Sequence, residues 1–428
     1  MADPGSATLV IEYVAGRRVA VPGGQPDVAP TKLPELGRTR LEQGPFELIE
    51  LLVVGELEVE VDGAAAVVHG CIVNALGECH GDDSWRAAGY PAGMTDNVHD
   101  PGPDAAAATF DGPSDVAANP LDIKGGGAIR IGTASWTDPT MTASGVFYPT
   151  GADSAEERLQ FYASRFPLVE VDATYYSLPV RRTSELWVER TPPDFTFDIK
   201  AHALMTGQPT ETKRLPKDLR EALPGEVIEK ARIYAKDLPD ALKDDVWAWF
   251  AYGLEPLQEA GQLGSILLQY PRWFFTSSEN RDTIEESVAR LRDVGMTPAV
   301  EFRSASWFNE KNIERTLKFL GDREIPLVMV DGPQGFKSSV PPIVAATSPE
   351  LALVRFHGRR TETWEKPGIK TVERFRYLYD EGELEEWVPR VREAAGQAKE
   401  THVLFNNCYA NYGATNALML AELLQDLD

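Results

Sequence analysis

The feature that most constrains this chain is an alternation of apolar and charged residues within one short run, repeated in seven others. In a β-strand successive side chains point to opposite faces. In residues 168–176, LVEVDATYY, that rule puts Val169, Val171 and Ala173 on one face and Glu170, Asp172, Thr174 and Tyr176 on the other. A strand that is apolar on one side and lined by carboxylates on the other needs helices outside and a polar interior or cavity inside. Similar runs occur at 129–134, 195–200, 264–269, 298–303, 325–331, 351–357 and 402–406. Helical patterns alternate with them. Ser154-Ala-Glu-Glu157 reads as a capping box opening a helix, and further helices are expected over 179–190, 280–294, 310–320, 372–398 and 414–424. An insertion at 211–262 carries Trp247, Trp249 and Phe250 at helical spacing. Eight strands alternating with helices predict an α/β fold, a parallel TIM-like (β/α)8 barrel. The rival, a doubly wound open sheet, usually carries a Gly-rich phosphate turn after its first strand. Gly132-Thr-Ala-Ser-Trp136 is no such turn.

The barrel accounts for residues 129–428, and the rest of the 428-residue chain reads differently. Residues 1–124 hold 20 acidic against seven basic side chains, a bias towards disorder. Within them, residues 46–68 look like a short β segment, because Leu57-Glu58-Val59-Glu60-Val61 alternates ahead of a turn at Asp62-Gly63. Residues 125–128, which include Gly125, Gly126 and Gly127, are expected to be a linker. His69, Cys71, Cys79 and His80 are ligand types that zinc uses, but their spacing matches no structural-zinc pattern, so no metal is assigned there. The net charge of −24 disfavours nucleic acid and anionic membranes, while leaving room for a local basic cleft. Three cysteines argue against a disulfide framework. With no secretory signal and no apolar run of membrane-spanning length, a cytoplasmic protein is the expectation.

In such a barrel the chemistry sits where the strands end. The inward positions are Glu170, Asp172 and Thr174; Asp198 and Lys200; Gln269; Glu301 and Arg303; Asp331; Arg355 and His357; and Asn406. Either they form a mutually neutralising plug or they build a site, and burying so many charges merely to fill space is costly. As a site, Lys200, Arg303 and Arg355 hold an anion, with Arg355 as main anchor, because an Arg fork suits phosphate and carboxylate. Glu301, Asp172 and His357 handle protons, with Glu301 weighed as a general base. Trp136 and Tyr176 wall the pocket, and Glu170, Thr174, Gln269, Asp331, Asn406 and Asn407 complete the substrate contacts. The same carboxylates with His357 could instead hold a divalent metal, but the interleaved cations count against a dense cluster. The sequence requires no cofactor. Cys408 has no evident base partner and is a poor candidate nucleophile.

Several separated motifs carry a resemblance over residues 129–424. They are GTASW with PT and FYP (132–149), VEVDATYYSLP (169–179), FTFDIKA (195–201), LLQYP (267–271), VEFRSASWF (300–308), RFHGR (355–359), RYLYDEGEL (376–384), and FNN followed by NAL (405–407, 416–418). With these the chain resembles the domain of unknown function 72 family, also called YecE-like. The resemblance implies a TIM-like barrel with a polar pocket at the strand ends, and no defined reaction. Where relatives commonly show histidine, this chain has Gly207 and Ser304. The functional expectation is an enzyme acting on a small anionic or phosphorylated substrate by acid/base chemistry. The rivals are a metal-dependent hydrolase, isomerase or phosphodiesterase-type nuclease, and a non-catalytic ligand-binding or scaffolding barrel.

Overall fold

The computed structural model describes residues 117–123, 125–144 and 147–425, together with the backbone of short strands within residues 10–73. The chain divides into two units, Met1–Asn97 and Val98–Asp428. In the first, Val10–Tyr13, Gly37–Arg40, Glu56–Val61 and Ala64–His69 form an antiparallel sheet, and Leu51–Leu52 pairs with Ile72–Val73. Glu56–Val61 and Ala64–His69 pair antiparallel from Glu56↔His69 to Val61↔Ala64, while the turn expected at Asp62-Gly63 lies outside the described residues. The side chains of the His69, Cys71, Cys79 and His80 group lie outside the described residues.

The second unit is the barrel. Its strands are β1 (Ala128–Ala134), β2 (Leu168–Val171), β3 (Thr196–Lys200), β4 (Leu263–Gln269), β5 (Thr297–Glu301), β6 (Val328–Asp331), β7 (Leu351–Phe356) and β8 (Glu400–Phe405). All neighbours are parallel, in the order β5-β4-β3-β2-β1-β8-β7-β6. The ring is closed between β5 and β6 by one parallel bridge, Val300↔Leu327, where the Val300 N–H donates to Pro326 O at 2.8 Å. The outer layer includes α1 (Ala155–Ala163), α2 (Arg181–Glu189), α3 (Asp240–Glu259), α4 (Ser278–Asp293), α5 (Ile313–Gly321), α6 (Val388–Ala395) and α7 (Tyr412–Gln425). Ser154 and Glu157 close the expected capping box at α1. The helical stretch expected over 372–398 is broken into Thr371–Arg374, Glu381–Glu385 and α6, with Asp380 capping the middle piece.

Three local expectations are corrected. Gly126 and Gly127 are packed, not a linker: the Gly127 N–H donates to Ala395 O at 2.8 Å, and a Cβ on Gly127 would meet Ala398 O at 2.2 Å. Just before them, Leu121–Asp122 pairs antiparallel with the start of β1. The strand expected over 168–176 ends at Val171, and Ala173–Tyr175 forms a 3-10 turn. Strand parity therefore stops holding beyond Asp172. The parity on β6 is also reversed. Val330 pairs with Arg355, which faces the interior, whereas Asp331 pairs with Phe356, which faces outward and packs on Trp387 and on Phe405 of β8.

Elsewhere the alternation holds. Val169, Phe197, Ile266, Val300, Val354 and Val403 are fully buried in the apolar core. The interior floor is polar: Asp198 accepts hydrogen bonds from Ser265 N (2.6 Å), Ser265 Oγ (2.9 Å) and His402 Nδ1 (2.9 Å).

Candidate functional site

Above that floor the interior is occupied by an ion cluster drawn from four strands. Arg355 is 1% exposed and is consumed by its neighbours. Its Nε and Nη2 donate to the two oxygens of Glu170 at 2.8 and 2.7 Å, and its Nη1 donates to Glu301. Glu301 gathers three further donors on Oε1: Arg303 Nε at 2.7 Å, Gln269 Nε2 at 2.8 Å and His357 Nε2 at 3.2 Å. Because a carboxylate only accepts, His357 carries its proton on Nε2, and its Nδ1 accepts from Asn406 Nδ2 at 3.0 Å.

These contacts fix the charge states. Burial drives the Glu301 carboxyl up, but Arg355, Arg303 and His357 together outweigh it and hold the group well below the usual carboxylate range. Burial, reinforced by Arg303, depresses His357 to about 3, so the imidazole is neutral. Burial raises Glu170 against the pull of Arg355 and Lys200. An ionised Glu301 with both oxygens occupied is a poor base, and a neutral His357 with both nitrogens engaged is a rigid spacer. Arg355, with all three guanidinium nitrogens committed to carboxylates, has no face left for an external anion. The cluster is therefore a mutually saturated plug of the barrel, and the groups it leaves unpaired lie on its upper rim.

Two ionisable groups on that rim have no such partners. Asp172 sits one residue beyond the register pair Ile199↔Val171, opposite Lys200. Both are half-buried. Among the described residues, neither carboxylate oxygen of Asp172 accepts a hydrogen bond from another residue, and the Lys200 ammonium has no acceptor. That ammonium lies over the Tyr175 ring, 4.9 Å from its centroid. Burial raises the Asp172 carboxyl, opposed by Lys200 and Arg355. Burial, then Arg355, lowers the Lys200 ammonium, opposed by Glu170 and Asp172. The pair is thus shifted towards a neutral acid beside a neutral amine.

Arg303, also half-buried, spends only Nε on Glu301. Its guanidinium lies over the Trp364 ring at 5.4 Å, and its two Nη groups have no acceptor among the described residues. Arg303, His357, Ser338, Ser339 and Trp364 line a small hollow. A second small hollow is lined by Thr133, Ser135, Asp138, Cys408 and Gly413. There the Cys408 thiol donates to Ala134 O at 2.8 Å, and burial with Asp138, Asp172 and Glu170 nearby pushes it up, so it stays a protonated thiol.

The remaining sequence candidates fall outside the rim. Trp136 packs edge-on against Trp187 and Phe197, in the helix layer. Thr174 Oγ donates to Lys200 O at 2.6 Å and Val171 O at 3.1 Å, tying the ends of β2 and β3 together. Tyr176 is 40% exposed, under the Arg214 guanidinium. Asn407 is fully buried and donates to Tyr377 O and Asn416 Oδ1. Asp331 accepts from Arg359, Tyr379 OH (2.7 Å) and Trp387 Nε1 (2.8 Å) beneath the helices. Sequence reasoning missed Tyr175, whose hydroxyl donates to Gln208 Oε1 at 3.0 Å, because the 3-10 turn and not strand parity orients it. It also missed Trp364, which lies in a loop without periodic signal. Among the described residues no three His, Cys, Asp or Glu side chains converge as metal ligands, and no helix is long and apolar enough to cross a membrane.

A family model described as "Protein of unknown function DUF72" matches residues 130–427. The UPF0759 protein YunF of Bacillus subtilis (strain 168) is 34% identical over 304 residues, which is 69% of this chain and 94% of that protein. Crystal structures of DUF72 family proteins from Thermotoga maritima MSB8 and Enterococcus faecalis V583 align with TM-scores of 0.53 and 0.54, at 30% and 26% identity. Each alignment covers 69% of this chain, and 99% and 95% of those chains respectively.

Proposed function

The chain belongs to the DUF72 family, and on that premise we propose that its barrel is an enzyme for a small anionic substrate, working by proton transfer between Asp172 and Lys200. The observation that carries this reading is the contrast on the rim. Glu170, Glu301, Arg355 and His357 are saturated by one another, whereas Asp172 and Lys200 stand unpaired side by side at the strand ends. Keeping two desolvated, unpaired ionisable groups together costs stability, and such costs collect at functional sites. The free Nη groups of Arg303 supply the anion contact, so the anchoring role expected of Arg355 passes to Arg303. Glu301 and His357 act as positioning residues: they fix the Arg303 side chain at the edge of its hollow.

The test has two stages. Inorganic phosphate, sulfate and small carboxylates are first screened for a rise in melting temperature at low ionic strength, where such contacts are least screened. Arg303→Ala is expected to remove the rise. A pool of phosphorylated and carboxylated metabolites is then incubated with the protein and read by mass spectrometry. Turnover that disappears in Asp172→Asn and in Lys200→Met, with melting temperatures close to native, supports the proposal. Stabilisation without turnover would favour a binding barrel, and stabilisation by divalent cations alone would favour metal chemistry.

A further inference from the structure

We propose that Lys200 is a covalent nucleophile, forming an imine with the carbonyl carbon of an anionic aldehyde or ketone. This rests on the acid/base reading of the rim and narrows its substrate class to oxo compounds that carry a carboxylate or phosphate. Three features point there. The amine stands at a strand end, half-buried, over the Tyr175 ring and with no acceptor to hold it as an ammonium. The carboxylates Glu170 and Glu301 that face it are shared with Arg355 and Arg303, which hold them by direct ion pairs. A desolvated lysine beside another cation is one of the standard ways to obtain a free amine at neutral pH. Finally, Asp172 lies on the adjoining strand end, where a carboxylic acid can serve the same reacting carbon.

The chemistry balances with these two groups alone. The Lys200 nitrogen lone pair attacks the carbonyl carbon, and the C=O π pair moves to oxygen, which takes the proton of the Asp172 carboxylic acid. The nitrogen then returns one proton to the Asp172 carboxylate, giving a neutral carbinolamine. Asp172 protonates the carbinolamine hydroxyl, the C–O bond breaks, and the nitrogen lone pair closes the C=N bond. The remaining N–H proton goes to Asp172. Amine and carbonyl become imine and water, and Asp172 ends as it began. Arg303 would hold the anionic group on the rim while this happens.

The experiment uses the full chain with glyoxylate, an aldehyde that carries a carboxylate, under borohydride reduction, followed by peptide mapping. An exposed lysine at pH 7.5 is free amine in about one part in a thousand, and each unit of pKa depression raises that fraction about tenfold. Lys200 is therefore expected to be labelled about tenfold or more faster than Lys217 and Lys399, whose side chains are 74% and 71% exposed. Asp172→Asn should slow labelling of Lys200 by about 10²-fold or more without changing Lys217. Labelling of Lys200 no faster than Lys217 overturns the proposal, and this comparison needs only the native protein, whatever the variants do. If labelling is unselective but Lys200→Met still abolishes turnover of the metabolite pool, the imine fails and the acid/base reading stands. If Lys200→Met also turns over normally, both fall.

Discussion

Replacing Arg355 by methionine removes the cation that two carboxylates share, at a site where neither carboxylate is exposed at all. The loss falls unequally. Glu301 keeps Arg303, Gln269 and His357 as donors, whereas Glu170 loses both of its charge-assisted bonds from the guanidinium. Breaking one partner out of a buried pair typically costs 3–5 kcal/mol. A second route to the figure is proton uptake, because a stranded Glu170 will protonate. Forcing a carboxyl with an ordinary pKa near 4.3 to carry its proton at pH 7 costs about 1.36 kcal/mol per unit, roughly 3.7 kcal/mol. Burial already raises Glu170 in the native protein, so that value is an upper bound. The two routes agree on about 3–4 kcal/mol at pH 7, or roughly 5–6 °C in melting temperature for a domain of this size. The sign of the pH dependence follows. In Arg355→Met the folded pKa of Glu170 stands far above its unfolded value, so the penalty is full above the folded pKa and shrinks as pH falls towards the unfolded one. At pH 5 roughly 1 kcal/mol should remain. Scanning calorimetry of Arg355→Met at both pH values measures this, and Arg355→Met with Glu170→Gln should recover most of the loss. A drop under about 2 °C at pH 7, or one of equal size at pH 5, would refute the account of the cluster.

Three further outcomes follow from the same structure. His202 is fully buried and burial depresses it to about 4, so the folded state gains stability above the unfolded value near 6.5 and loses it as pH falls; native protein should lose about 1 kcal/mol more than His202→Leu between pH 6 and pH 5, and parallel stability curves would exclude this. Val171→Asp places a charge in the apolar outer core and should cost several kcal/mol, whereas Asp172→Asn, one residue on, should leave the melting temperature unchanged or raised at pH 7; equal large losses would make Asp172 part of the plug. Gly132→Ala should prevent folding to the native barrel, read by circular dichroism and size exclusion, because its Cβ would lie 1.9 Å from Leu168 O in the adjoining strand; a cooperative unfolding transition at the native temperature would contradict the β1–β2 spacing.

The barrel was legible because its strands obey a local rule that tertiary contacts reinforce. A residue such as Val169 or Phe197 declares its face by its own hydrophobicity, and the neighbours at i±2 repeat the statement. Reading failed where that redundancy ran out. On β6 the sequence Val328-Met329-Val330-Asp331 is apolar on both faces until its last residue, so the only charge was taken to mark the interior. The helix layer instead provides Arg359, Tyr379 and Trp387 for it, donors from 28 to 56 residues away that no local pattern connects to the strand. At β2 the fault lay in extending the rule past the strand's end, which misassigned Thr174 and Tyr176 and hid Tyr175.

The charged residues that share the interior could be listed from the sequence, but not which of them pair, and the reason is physical. A sequence shows which charges share an interior, while their roles depend on which carboxylate reaches which cation first. Arg355 lies deep enough to meet Glu170 and Glu301 at once, and a bidentate fork inside the barrel is far more favourable than a contact left waiting for solvent anions. Once that match is made, Glu301 is held ionised, His357 neutral, and Arg303 half engaged. Asp172, just past the end of β2, and Lys200, last on β3, are what the pairing leaves over. A mutually neutralising plug and the site proposed above it are therefore compatible descriptions of this interior. The saturated cluster fills the interior beneath two half-buried ionisable groups that no partner among the described residues satisfies.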